Sequence, residues 1–224
     1  MDQYQCTTRG RLTTTQGKEK CKDQYAGGTV FYDHATGYLN FIHQSTLGSA
    51  DTVRSKMLFE QEVLQYGRKV SGYLTDNGVF TSRQFTEAIA HQQQGLRLSG
   101  VGAHWQNGVA ERAIATIFER ACSMMIHAAI KWPEASDATL WPLALDYAVY
   151  LHNHLPSTSG FSPIEMMSGT KQDPYYLSSC RVWGCPAYVW IHLYKMERNY
   201  QSGSRAHGEV AFSAFLHGMH QMLV

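Results

Sequence analysis

Two acids stand where side chains can be aimed into a shared crevice. Glu111 lies in the polar, glycine-bearing stretch Ala103-His104-Trp105-Gln106-Asn107-Gly108-Val109-Ala110-Glu111-Arg112, which runs straight into a long amphipathic pattern. That places it in the first turn of a helix. Asp76 follows the short apolar run Tyr73-Leu74-Thr75 and precedes Asn77-Gly78, so it belongs at a strand end. The two are 111 − 76 = 35 positions apart. Strand ends and first helical turns both project into the crevice at the edge of a sheet. Two ionised carboxylates held close repel, and one takes up a proton unless a cation lies between them. Oxygen ligands with free coordination positions suit Mg²⁺, which keeps waters and binds phosphates. Two such ions about 3.5–4 Å apart clamp the attacking and leaving oxygens of an in-line phosphoryl displacement. A plainer reading also fits: Glu111 interacts with its own helix N-terminus and Asp76 caps a turn. On the residues alone both readings stand.

The elements that must position these acids follow from the periodicity. Residues 1–6 read as a strand, and residues 9–22, with Arg9, Arg11, Lys18, Lys20 and Lys22, as a solvated basic loop or a phosphate-contacting edge. Residues 29–32 and 38–42 are rich in β-branched and aromatic types around the turn Asp33-His34-Ala35-Thr36-Gly37, which predicts a hairpin. Residues 49–66 switch to helical spacing through Val53, Met57, Phe59 or Glu60, and Leu64, with Ser49 or Asp51 as cap and Gly67 as stop. A strand over 70–75 leads to Asp76. A short helix then buries Phe85 and Ile89 after Thr81 or Ser82, and a brief strand covers 96–98.

The clearest helix is predicted over 107–130. Ala110, Ile114, Ile117, Ala121, Met125 and Ala128 form one stripe, with Glu111, Arg112, Glu119, Arg120 and Ser123 away from it. Another spans roughly 138–154 through Leu140, Ala144, Ala148 and Leu151, with Pro142 near its start. Ser162-Pro163-Ile164-Glu165 is a compact helix-start signature. Residues 182–191 read as a strand, and the pattern weakens after 193. The order gives an α/β layout with a mixed sheet and helices packed on it.

Bulk numbers narrow the class without naming it. The chain has 224 residues, 44% hydrophobic and 17% charged, which allows one domain plus an appendage. No apolar run looks long enough to cross a bilayer, no secretory signal opens the chain, and neither a membrane nor an organic cofactor is expected. Five cysteines, odd in number and irregularly spaced, fit a reduced intracellular protein. Cys180 and Cys185 have no His or Cys pair at finger spacing to complete a zinc site. A formal charge of +1 does not announce a nucleic-acid partner.

The stretch Ser99-Gly100-Val101-Gly102 followed by residues 103–112 closely resembles the loop and helix start of copia-type retrotransposon integrases, whose usual motif is a proline-bearing loop and then Gln-Asn-Gly-Val-Ala-Glu-Arg. Here Gly102-Ala103-His104 replaces the proline-bearing part. Thr75-Asp76-Asn77-Gly78 is similar to the family's second acid motif, and its spacing to Glu111 matches the D,D,E pattern. Residues 141–156 resemble the helix after the core, and Arg181-Val182-Trp183-Gly184-Cys185-Pro186-Ala187-Tyr188-Val189 resembles its customary ending. The likeness covers most of residues 1–190. It divides the chain into an integrase catalytic core over 1–170, a post-core strand segment over 171–192 and a weakly specified tail or small β appendage over 193–224.

The resemblance implies a ribonuclease-H-like fold, a mixed sheet flanked by helices, and an enzyme that joins DNA strands with two Mg²⁺ or Mn²⁺ ions. It makes Asp2, Asp76 and Glu111 the catalytic and metal-ligating residues. Asp2 is preferred to Asp33 because the first ligand of that fold belongs to the first strand. Almost nothing precedes Asp2 to complete its strand, so it is expected to be poorly positioned. Gln106, Asn107 and Arg112 are the implied DNA contacts, with a surface ion pair as the alternative for Arg112. The implied partners are element ends and target DNA, with further copies of the chain in a homo-oligomer. The implied address is the nucleus, although no basic localisation cluster stands out. Two rival expectations remain: a catalytically inactive remnant that only binds DNA or a partner, and a generic ribonuclease-H-like nuclease.

Overall fold

The computed structural model describes residues 1–11, 24–100, 108–158 and 160–187. Three antiparallel strands come first: β1 (Asp2–Gly10), β2 (Tyr25–Tyr32) and β3 (Leu39–Gln44), with β2 in the middle. The register runs Asp2 opposite Val30 and Tyr32 opposite Leu39, with an irregularity in β1 between Gln5 and Gly10. After α1 (Ser49–Gln65) come β4 (Gly72–Thr75), α2 (Arg83–His91) and β5 (Gly95–Leu98), and β4 and β5 pair in parallel. The Met1 amine donates to the Leu74 carbonyl at 2.5 Å, which lays the start of β1 beside β4. The chain continues with α3 (Gly108–Lys131), α4 (Trp141–His154), α5 (Pro163–Ser168) and the short α6 (Tyr175–Ser178).

Helices cover both faces of the sheet, because neighbouring strand residues point to opposite sides. Val30, Tyr4, Leu39 and Phe41 pack with Ile117 and Ala121 of α3 and Ala144 and Ala148 of α4. Phe31, one residue after Val30, faces the other way into Phe59, Val63, Tyr73, Phe80 and Phe85. Its ring stacks on Phe59 with centroids 4.4 Å apart. Ala121 and Ala128 of α3 share this core with Ala144 and Ala148 of α4. Asn153 of α4 is buried and bonded through both ends of its amide: it accepts from the Leu39 amide at 3.0 Å and donates to the Leu39 carbonyl at 2.7 Å.

One core contact is polar. The Tyr4 hydroxyl lies 2.5 Å from His43 Nδ1, and His43 Nε2 lies 2.8 Å from Asp146 Oδ1. Gly28 makes room for it, since a Cβ there would stand 2.6 Å from the Tyr4 hydroxyl and 2.3 Å from the Ile42 carbonyl.

Several local expectations need correction. In α1 the buried face is Thr52, Ser55, Lys56, Phe59 and Val63, while Met57 and Leu64 are 48% and 57% exposed. Apolar spacing misled there because the inward polar groups are paired: Lys56 Nζ lies 2.9 Å from Glu60 Oε1 and 3.2 Å from Gln92 Oε1. Gly48 holds the N-cap of α1, and Asp51 accepts from the Thr46 amide and hydroxyl instead. Arg9 belongs to β1, where it donates to the Ser45 carbonyl, and Arg11 pairs with Asp137. Residues 182–187 form no strand; the rest of that expected strand, and the tail over 193–224, lie outside the described residues. The 24-residue α3 is long and apolar enough to cross a bilayer by length and composition only, a test that the core helix of a soluble protein also passes, whereas the sequence reading saw no such run. Here Ala110, Ile117, Ala121 and Ala128 bury its inner face. The capping box at Ser162 and Glu165 is present as expected, and Gly169 closes α5 at φ 70°, a conformation that favours glycine.

Candidate metal centre

Each of the three acids is held by a different element. Asp2 opens β1, is half-buried, and its Oδ1 accepts from the Gln3 amide at 2.8 Å. It is not frayed: Met1 before it is buried in the core and hydrogen-bonded to Leu74. The expected weakness of that position is therefore corrected by packing that the sequence pattern did not reveal. Asp76 follows β4 directly, and its Oδ1 accepts from the Gly78 amide at 3.3 Å. Its turn is fastened from behind, where Asn77 Nδ2 donates to the Ser99 carbonyl at 2.9 Å and the Ser99 amide to the Thr75 carbonyl at 2.8 Å. Glu111 lies in the first turn of α3 and is exposed.

Their charges meet. The Asp2 carboxyl is raised above its ordinary value by burial first, an effect the Gln3 amide opposes; repulsion from Asp76 and then from Glu111 raises it further. The Met1 amine is pushed down to about 6 by burial, against attraction from both Asp2 and Asp76. Three carboxylates from β1, β4 and α3 thus share one electrostatic neighbourhood. An all-oxygen, anionic donor set fits a hard divalent cation. The side chains do not form a closed ligand set: among the described residues no three His, Cys, Asp or Glu side chains stand together closely enough to hold a metal ion.

The other candidates are placed as follows. Asp33 is engaged in its own hairpin turn, accepting from the Thr36 amide at 3.0 Å and hydroxyl at 2.6 Å. Gln106 and Asn107 lie outside the described residues. Arg112 is exposed and lines a cavity against the β2–β3 end of the sheet. Sequence reasoning did not single out that cavity. The spacing of Arg112, Thr116 and Arg120 was a legible signal for it, whereas His152 on α4 had none.

No family model matches the sequence. The chain is 28% identical over 183 residues to the retrovirus-related Pol polyprotein from transposon RE1 of Arabidopsis thaliana, covering 79% of this chain and 11% of that protein. It is 34% identical over 133 residues to the corresponding polyprotein from transposon TNT 1-94 of Nicotiana tabacum, covering 59% of this chain and 9% of the relative. The chain therefore spans about a tenth of the length of the curated relatives it matches. Among solved structures, a simian T-cell lymphotropic virus intasome in complex with PP2A regulatory subunit B56 gamma matches with a TM-score of 0.52 at 16% identity, covering 77% of this chain and 55% of that one. The HTLV-2 integrase catalytic core domain in complex with magnesium matches with a TM-score of 0.48 at 18% identity, covering 74% and 93%. The homologues of this chain are Ty1/copia-type retrotransposon Pol polyproteins, and its fold is the α/β, ribonuclease-H-like fold of integrase catalytic cores.

Proposed function

We propose that this chain is an integrase core that carries out DNA 3′-end processing and strand transfer, with Asp2, Asp76 and Glu111 holding two Mg²⁺ or Mn²⁺ ions. The observation that carries this reading is the Met1–Leu74 hydrogen bond, which brings the strand that Asp2 opens to the end of β4, where Asp76 follows, while Glu111 stands in the first turn of α3; the Asp2 carboxyl, raised by burial and further by Asp76 and Glu111, agrees with it. A half-buried carboxyl whose charged form is disfavoured by burial and by neighbouring acids is one that a divalent cation would stabilise. The bound ions would supply a polarised oxygen nucleophile and neutralise charge on the reacting phosphate.

The chain's own part is positioning. The Gln3 amide fixes one oxygen of Asp2, and the Gly78 amide fixes one oxygen of Asp76; among the described residues no hydrogen bond occupies the second oxygen of either. Glu111 enters from a 24-residue helix anchored in the core, a rigid support for one ligand. Gln106 and Asn107, just before that helix, would contact DNA beside the reacting phosphate, and Arg112 would add a phosphate contact. In processing, water attacks phosphorus near the strand end and the 3′ oxygen leaves as a hydroxyl. In transfer, that hydroxyl attacks a target phosphodiester and the target's 3′ oxygen leaves. Further copies of the chain would hold the two element ends, and action on chromosomal DNA would place the protein in the nucleus.

The test is Mg²⁺- or Mn²⁺-dependent nicking and joining of a short duplex by the wild type and by Asp76→Asn. The reading expects products from the first and none from the second. Equal activity in both would remove the metal assignment. The open ligand set favours a second reading, an inactive remnant that binds DNA without joining it. Binding without any product under either ion would support the remnant. Cleavage of RNA in a hybrid, with no DNA joining, would instead support a generic nuclease.

A further inference from the structure

A cavity of about 310 Å³ lies between α3, α4 and the β2–β3 end of the sheet. Its polar lining is Arg112, Thr116 and Arg120 from α3, His152 from α4 and Tyr32 from β2, over the buried Ile117. Arg112, Thr116 and Arg120 recur at every fourth position, so they form one stripe along the helix. At about 100° per residue, Arg112 lies about 100° around the helix from Glu111, and Thr116 and Arg120 roughly 140–180°. The cavity is thus turned away from Glu111 around α3, with Arg112 at its edge nearest that acid.

The lining contains two guanidinium groups and no carboxylate. Among the described residues neither arginine makes a hydrogen bond or ion pair, although Arg11, Lys56 and Arg83 each find an acid. The imidazole of His152 donates from Nε2 to the Gly37 carbonyl at 3.1 Å. Burial lowers its affinity for a proton, and Arg120 lowers it further against the help of that carbonyl. Two guanidinium charges therefore share one concave site with no acid in its lining among the described residues. Guanidinium forks match tetrahedral oxyanions in a geometry that favours phosphate, and the volume admits the group esterified to it.

We propose that this cavity is a phosphate-ester site, in which Arg112 and Arg120 grip the phosphoryl oxygens and Thr116 donates its hydroxyl. The chemistry is common to a backbone phosphodiester of nucleic acid and to a free mononucleotide. The site shares Arg112 with the proposed DNA contacts, but it needs no divalent cation, so its test does not depend on the metal reading.

The experiment follows the His152 ring resonances of the full chain by NMR, in the presence of a chelator, while inorganic phosphate, thymidine monophosphate or a short DNA duplex is added. An anion in the cavity shifts those resonances and moves the His152 titration to higher pH. Arg112→Ala/Arg120→Ala weakens that response by roughly ten- to a hundredfold, the loss expected for one or two charge-assisted contacts. If the duplex is the ligand, its salt slope falls by about 2 in the double variant. A response to the mononucleotide but not the duplex assigns the site to a free ester, and the reverse assigns it to the backbone. Both outcomes support the site. No response to any of the three probes in the wild type overturns it, as does an equal response in a double variant whose circular dichroism matches the wild type. Because chelation removes metal chemistry from the measurement, failure of the phosphate site and failure of the integrase reading give separate results.

Discussion

The Met1 amine donates to the Leu74 carbonyl at 2.5 Å, two residues before Asp76. That contact brings the start of β1 to the end of β4, and Asp2 lies within the electrostatic reach of Asp76. The consequence is a trade between stability and function. Asp2 has a raised folded pKa, first from burial and then from Asp76 and Glu111. A raised carboxyl binds its proton more tightly in the folded than in the unfolded chain. Stability is therefore gained as pH falls through the folded value and lost as pH rises above it. Asp2→Asn, which keeps an oxygen for the Gln3 amide, should raise the melting temperature at neutral pH in chelator and flatten its rise towards acid. A lower melting temperature under those conditions would contradict the repulsion.

The same repulsion predicts opposite behaviour with metal. Mg²⁺ or Mn²⁺ should raise the wild-type melting temperature, because ligands that bind only the folded state stabilise it by mass action. Asp76→Asn should start higher in chelator and gain little on addition of the ion. Thermal scans of both proteins across a metal titration make the comparison.

Lys56 is buried completely, with Glu60 2.9 Å away and Gln92 beside it. Burial would raise the Glu60 carboxyl, but hydrogen bonds from Tyr73, Gln94 and Lys56 outweigh it and hold the group below its ordinary value. A lowered carboxyl contributes stability above its unfolded pKa and loses it as pH falls through the folded one. Glu60→Ala should cost on the order of 3–5 kcal/mol, because it strands a buried ammonium. Replacing Lys56 and Glu60 together by apolar residues of similar size should cost far less. Urea unfolding of the single and double variants reads the difference.

The chain Tyr4–His43–Asp146 is a buried polar contact inside an otherwise apolar layer. Tyr4→Phe should leave His43 Nδ1 without its partner and cost about 1–3 kcal/mol. If Gly28 is spared for the hydroxyl, Gly28→Ala should be worse than Tyr4→Phe, since its Cβ meets backbone as well. Equilibrium unfolding ranks the two.

Much of this architecture was legible because it rests on local pattern. The hairpin over β2 and β3, the long stripe of α3 and the capping box at Ser162 all follow from periodicity and cap chemistry. The inward face of α1 was not legible, because Lys56 is buried only by virtue of Glu60 and Gln92, one on the same helix and the other following α2. The security of Asp2 was hidden for a similar reason: its anchor is a backbone carbonyl 73 residues away. The phosphate cavity joins α3 to Tyr32 and His152, and only the α3 half had a spacing to read.

The central claim is that Asp2, Asp76 and Glu111 hold divalent metal. Electron paramagnetic resonance of Mn²⁺ titrated into the full chain, compared with Asp76→Asn and Glu111→Gln, tests it most directly. The account predicts saturable binding by the wild type and a loss of tenfold or more in each variant. Equal Mn²⁺ binding by all three proteins would contradict it.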